Sequence, residues 1–193
     1  MRIASLLILL LLVPFNADAG RKSGVTMPDQ ITVAGKQLTL NGMGLREATM
    51  LKVNVYVAGL YVEQPSSNPA ELINSDQTKA IKLTFVRDVD RGDITKAWND
   101  GFKNNPIVAQ GSIQGSIDQL NGWMQDMKKG QTLSFTYVPG TGVAVDVAGQ
   151  RKGVIKGEAF ARSLFAIWLG DKPPTSALRK GLLGSHGQAA RAG

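Results

Sequence analysis

The sequence predicts an α+β fold: one large antiparallel sheet with helices packed on one face. Segments with period-2 alternation gather in two hairpin-rich runs, a helical block separates them, and two further helical segments close the chain. Strands and helices do not alternate one by one, as a parallel sheet built from crossover units would require. No internal repeat is present.

Taken in order, residues 1–19 are expected to be a cleaved signal peptide. Arg2 supplies the positive start, residues 3–13 the apolar run, and Ala17-Asp18-Ala19 the small-x-small cleavage pattern, with the cut before Gly20. That run falls short of the roughly 20 apolar residues a membrane-crossing helix needs. Residues 20–28 are polar and lack periodicity, so they are expected to be a flexible leader. The folded domain is then expected over residues 29–184, with residues 185–193 a disordered tail.

Within the domain, Ile31 and Val33 against Leu38 and Leu40, around Ala34-Gly35, predict a hairpin that Asn41-Gly42-Met43-Gly44 interrupts. Residues 52–63 predict a long strand, the strongest strand pattern in the chain, with Val53, Val55 and Val57 on one face and Asn54, Tyr56 and Ala58 on the other. After a Pro-Ser loop and a short helix over residues 70–74, residues 80–89 predict another strand. Asp90 is a plausible N-cap for a helix over residues 91–104, whose apolar stripe is Ile94, Ala97, Trp98 and Phe102 and whose end is Asn105-Pro106. A second helix is expected over residues 110–128, carrying Ile113, Ile117, Leu120, Met124 and Met127 as one stripe. Leu133, Phe135 and Tyr137, then Val143, Val145 and Val147, flank Pro139-Gly140-Thr141-Gly142 as a hairpin, and residues 153–156 add a strand. Helices over residues 158–168 and 174–183 close the domain.

The absence of cysteine excludes disulfides, thiol nucleophiles and zinc-cysteine sites. The single histidine, His186, lies in the expected tail, which argues against a serine triad and excludes a three-histidine metal centre. No cofactor or metal is expected. A net charge of +7 is spread over single and paired lysines and arginines without interleaved aromatics. It therefore reads as a solvated basic surface with weak attraction to anionic lipid, not as a nucleic-acid groove.

Arg46 is the principal candidate functional residue. It follows the glycine pair and shares the parity of Asn54 and Tyr56, so guanidinium and phenol can share one sheet face and clamp a carboxylate or phenolate. An edge arginine paired to Glu47 is the blander alternative, and for Tyr56 a core aromatic with a satisfied hydroxyl. Thr84 and Arg87, on the strand over residues 80–89, are further candidate ligand contacts, with an Arg87–Asp88 ion pair as the alternative for the latter.

Several segments together resemble the chalcone isomerase-like family, in particular its secreted bacterial branch. They are Asn41-Gly42-Met43-Gly44-Leu45-Arg46; Lys52 with Tyr56; and Gly59-Leu60-Tyr61-Val62-Glu63. Phe85-Val86-Arg87-Asp88-Val89, Ala97-Trp98-Asn99-Asp100-Gly101-Phe102 and Phe165-Ala166-Ile167-Trp168-Leu169-Gly170-Asp171-Lys172-Pro173 complete the set. The resemblance implies an open-faced β-sandwich with a ligand cleft between sheet and helices, and a periplasmic location. In the isomerases of this family the arginine of the glycine turn polarises a phenolic enone, a position that Arg46 inherits. The family's catalytic threonine falls on Tyr56, and residues 89–105 hold no tyrosine for its tyrosine–asparagine pair. An Arg with a Tyr resembles instead the fatty-acid-binding relatives, which hold a carboxylate while the tail enters an apolar cleft. Three readings follow: a non-catalytic binder of an apolar acid at Arg46 and Tyr56, an isomerase with Arg46 as electrophile, and a structural or interaction domain with a closed core.

Overall fold

A computed structural model describes residues 19–48 and 52–184. The expected signal segment, apart from Ala19, and the expected tail with His186 lie outside the described residues.

Seven strands form one antiparallel meander in chain order: β3 (Gln30–Val33), β4 (Lys36–Ala48), β5 (Val53–Val62), β6 (Lys79–Phe85), β7 (Thr132–Val138), β8 (Gly142–Val147) and β9 (Gln150–Ile155). The β3–β4 turn has Ala34 and Gly35 at φ 48° and 77°, the paired positive angles that a two-residue hairpin turn matched to strand twist demands. Helix α1 (Pro69–Asn74) precedes β6. Helices α2 (Arg91–Asn104) and α3 (Gln114–Trp123) come between β6 and β7, and α4 (Glu158–Leu169) and α5 (Ser176–Leu183) follow β9.

The helices cover one face only. Tyr56, Ala58 and Leu60 of β5, Ile81, Leu83 and Phe85 of β6, and Phe135 of β7 pack there against Trp98 and Phe102 of α2 and against α4. Helix α4 is buried from Ser163 to Leu169 without a polar stripe, as befits a helix enclosed on every side.

Three sequence expectations change. Residues 20–28 are not a loose leader: β1 (Ala19–Lys22) and β2 (Val25–Pro28) form a hairpin on the other sheet face. There Met27 is buried with Leu38, Val57, Tyr61 and Ala80, and the Tyr61 hydroxyl donates to the Pro28 carbonyl at 3.0 Å. The polar composition concealed a single buried anchor, Met27.

The expected helix over residues 110–128 is a 3₁₀ turn (Gln110–Ile113), then α3, then extended chain in which Met127 bridges Val89. Its apolar stripe is buried throughout, so burial was right while the period broke.

Third, Asn41 to Gly44 do not end a strand. β4 runs through them with a register shift between Leu40 and Gly42, and α5 lies across it. A Cβ at Gly42 would collide with the Gly181 and Leu182 carbonyls, one at Gly44 with the Leu178 carbonyl, and one at Gly181 with the Met43 carbonyl. The glycines let a helix backbone rest on a strand backbone. Asn41 fixes the contact, its Nδ2 donating to the Leu182 carbonyl at 2.8 Å.

Candidate functional site

The end of the sheet where β4 leaves and β5 enters faces α2 and the α4–α5 connection across a cleft of about 700 Å³. Its floor is apolar, with Tyr56, Phe85, Ile94, Trp98 and Ile167; Arg46 and Arg87 stand among the polar residues around it. Asn105, buried where α2 ends, holds the wall beyond α4. Its Nδ2 donates to the Lys172 carbonyl at 2.9 Å and its Oδ1 accepts from the Lys172 amide at 2.8 Å, which places Lys172, Pro173 and Pro174 along the cleft.

Arg46 and Tyr56 are directly opposed partners of β4 and β5. Opposed side chains on one face of an antiparallel pair have Cβ atoms roughly 4.5–5.5 Å apart. The ladder slips immediately afterwards, Glu47 facing Asn54, so the pair sits at a bulge, a feature that re-aims side chains near sheet ends. Arg46 is half-buried and donates through Nη1 to the Glu47 carbonyl. The bond expected with the Glu47 carboxylate is thus made to the backbone instead, and it occupies one of the guanidinium's five N–H groups.

Tyr56 is 6% exposed, with Phe85 against it edge-on at 5.8 Å. Its hydroxyl accepts from Trp168 Nε1 at 3.1 Å. Burial pushes its pKa up to about 12, against the opposing pulls of the Trp168 bond and the Arg46 charge. At neutral pH the phenol therefore keeps its proton. The Trp168 bond uses acceptor capacity, and the proton has no acceptor among the described residues, so the group is poised as a donor.

Arg87 lines the cleft from an exposed position. The expected Arg87–Asp88 ion pair is not formed. Asp88 instead accepts from the Lys129 amide at 2.9 Å and Lys128 Nζ at 3.0 Å, bonds that hold its carboxyl below the usual range. Thr84 is not at the site. It pairs with Val57 and Thr132 between Leu83 and Phe85, both of which face the helices, so the pleat turns Thr84 to the opposite side.

Trp98 and Trp168 are not singled out by the sequence as site residues. Both fall on helical apolar stripes and read as core. Each indole carries one N–H that burial obliges to find a partner, a question that a hydrophobic pattern does not raise. Asp90, expected as the N-cap, makes no side-chain capping bond, and it lines the mouth of the cleft with Asp93 as an exposed carboxylate. Among the described residues no group of three His, Asp or Glu side chains is arranged to hold a metal ion.

A family model described as chalcone isomerase-like matches residues 19–184. A search of curated proteins returned no match. Among solved structures, a fatty-acid binding protein of Arabidopsis thaliana superposes with a TM-score of 0.68 at 18% identity, over 86% of this chain and 96% of that one. This likeness shows a shared fold, the curled antiparallel sheet with helices on one face. The chain belongs to the chalcone isomerase-like family.

Proposed function

We propose that this member of the chalcone isomerase-like family is an exported, periplasmic, non-catalytic binder of an apolar ligand with an acidic head, a fatty acid or an aromatic acid. The observation that carries the reading is the opposed Arg46–Tyr56 pair, a cation and a protonated phenol side by side at the edge of an apolar floor. Both groups donate, and a carboxylate only accepts. Hydrogen bonds to a charged group contribute roughly 1.5–3 kcal/mol each. Apolar walls supply the rest, in a cleft whose volume of about 700 Å³ suits a small-molecule ligand. The similar plant protein's name as a fatty-acid binding protein supports the same class. Export rests on the signal-peptide pattern of residues 1–19.

Native mass spectrometry of the protein from its own exported fraction, beside Arg46→Ala, tests this. The expected chain mass begins at Gly20, and an acidic lipid or aromatic acid is retained by the unsubstituted protein and lost from Arg46→Ala. Equal retention by both contradicts Arg46 as the anchor. Acceleration of hydroxychalcone closure by the unsubstituted protein alone would replace the binder with an isomerase. A chain retaining residues 1–19 would contradict export by cleavage.

A further inference from the structure

We propose that the indole N–H of Trp98 is a third donor to the ligand's head, making the cleft floor a donor-only site that selects an acid over an alcohol or amide of the same chain. The inference rests on the acid-binding reading above and adds to it a residue and a selectivity.

Trp98 lies on α2, is 2% exposed and lines the cleft. Its ring packs edge-on against Trp168 at 5.4 Å and Phe135 at 6.0 Å, so packing fixes its orientation. Its Nε1 has no hydrogen-bond partner among the described residues, and no other buried unpaired polar atom found there belongs to a cleft-lining residue. An indole nitrogen donates and never accepts, and native proteins rarely leave such a donor buried and unmatched.

The two neighbouring tryptophans thus divide one task. Trp168 gives its N–H to the Tyr56 hydroxyl, occupying that oxygen so that Tyr56 is left with a proton to offer. Trp98 gives its N–H to nothing within the described protein. Arg46, Tyr56 and Trp98 then present guanidinium, hydroxyl and indole donors, and the one acceptor among these three side chains, the Tyr56 oxygen, already receives the Trp168 N–H. A carboxylate, with two oxygens and about four lone-pair positions, can receive all three. An alcohol or primary amide brings protons of its own that these donors cannot accept, and a buried donor without a partner weakens binding.

The test is calorimetric titration of the purified protein and of Trp98→Phe with sodium dodecanoate and with dodecan-1-ol, together with the Trp98 indole ¹H–¹⁵N resonance of the unsubstituted protein. Phenylalanine keeps an aromatic ring at the position and removes the N–H. We expect dodecanoate to bind the unsubstituted protein more tightly than the alcohol. Trp98→Phe should bind dodecanoate about tenfold or more weakly, as loss of a charge-assisted bond implies. The indole resonance should shift on adding dodecanoate. An undiminished affinity in Trp98→Phe with an unmoved resonance overturns the role of Trp98 and leaves Arg46 and Tyr56 standing. Failure of the unsubstituted protein to bind dodecanoate overturns both readings. If Trp98→Phe does not fold, the resonance alone decides.

Discussion

Tyr56, Tyr61 and Tyr137 are the three tyrosines of the chain, and the fold raises the pKa of every one. Burial is the largest cause in each, pushing Tyr56 and Tyr61 up to about 12, while Tyr137 is raised further by its 2.6 Å bond to the Asp76 carboxylate. Because burial makes the native phenols harder to ionise than those of the unfolded chain, their contribution to stability is fully present below pH 10, the unfolded value. That stabilisation is lost as the pH climbs from 10 towards 12. Ultraviolet titration should therefore show almost no phenolate in the native protein at pH 10, where the urea-unfolded chain is about half ionised, and the melting temperature should fall beyond that pH. Substantial native phenolate at pH 10 would mean that the tyrosines, Tyr56 among them, are wetter than described. At this scale parity and resemblance were enough to single out Arg46 and Tyr56, because opposed strands turn shared parity into a shared face. Thr84 went astray by the same rule, since its parity puts it on the far side from Phe85. Trp98 was invisible because hydrophobic patterning reports burial and is silent about the polar atom buried with the ring.

Helix α5 and strand β4 approach backbone to backbone at Gly42, Gly44 and Gly181. Gly44→Ala would drive a methyl group into the Leu178 carbonyl, a backbone atom that cannot rotate aside. Overpacking of this kind costs about 1–3 kcal/mol. Urea unfolding should register that loss with the slope of the transition unchanged, whereas an unaltered midpoint would show that α5 has room to lift. From the sequence alone, glycines spaced by one residue ahead of an arginine looked like a turn. Only the packing of a helix more than a hundred residues later in the chain shows that they belong to a strand, and long-range contact is what local pattern cannot encode. The 3₁₀ turn, helix and extended chain over residues 110–127 were hidden for a related reason. A stripe of Ile, Leu and Met satisfies burial whether its backbone is helical or extended, and tertiary pairing of Met127 with Val89 chose the latter.

The whole molecule is an asymmetric sandwich, and its asymmetry was legible. Hairpin runs with a segregated helical block admit few arrangements other than helices on one face of an antiparallel meander. The cover on the opposite face was not legible, because a short polar hairpin anchored by Met27 leaves almost no hydrophobic signature. The cleft lies between the sheet end and α2, and the opposed Arg46–Tyr56 pair lies there beside buried aromatics. On the proposed reading, this pair holds an acidic head. Carbon-13 NMR of carboxyl-labelled dodecanoic acid, titrated with pH while bound to the unsubstituted protein and to Arg46→Ala, tests it most directly. Beside the Arg46 charge the carboxyl should give a shifted resonance and stay ionised to a lower pH than the free acid, and Arg46→Ala should lose that behaviour. A carboxyl that titrates like the free acid, or identically in both proteins, would contradict it.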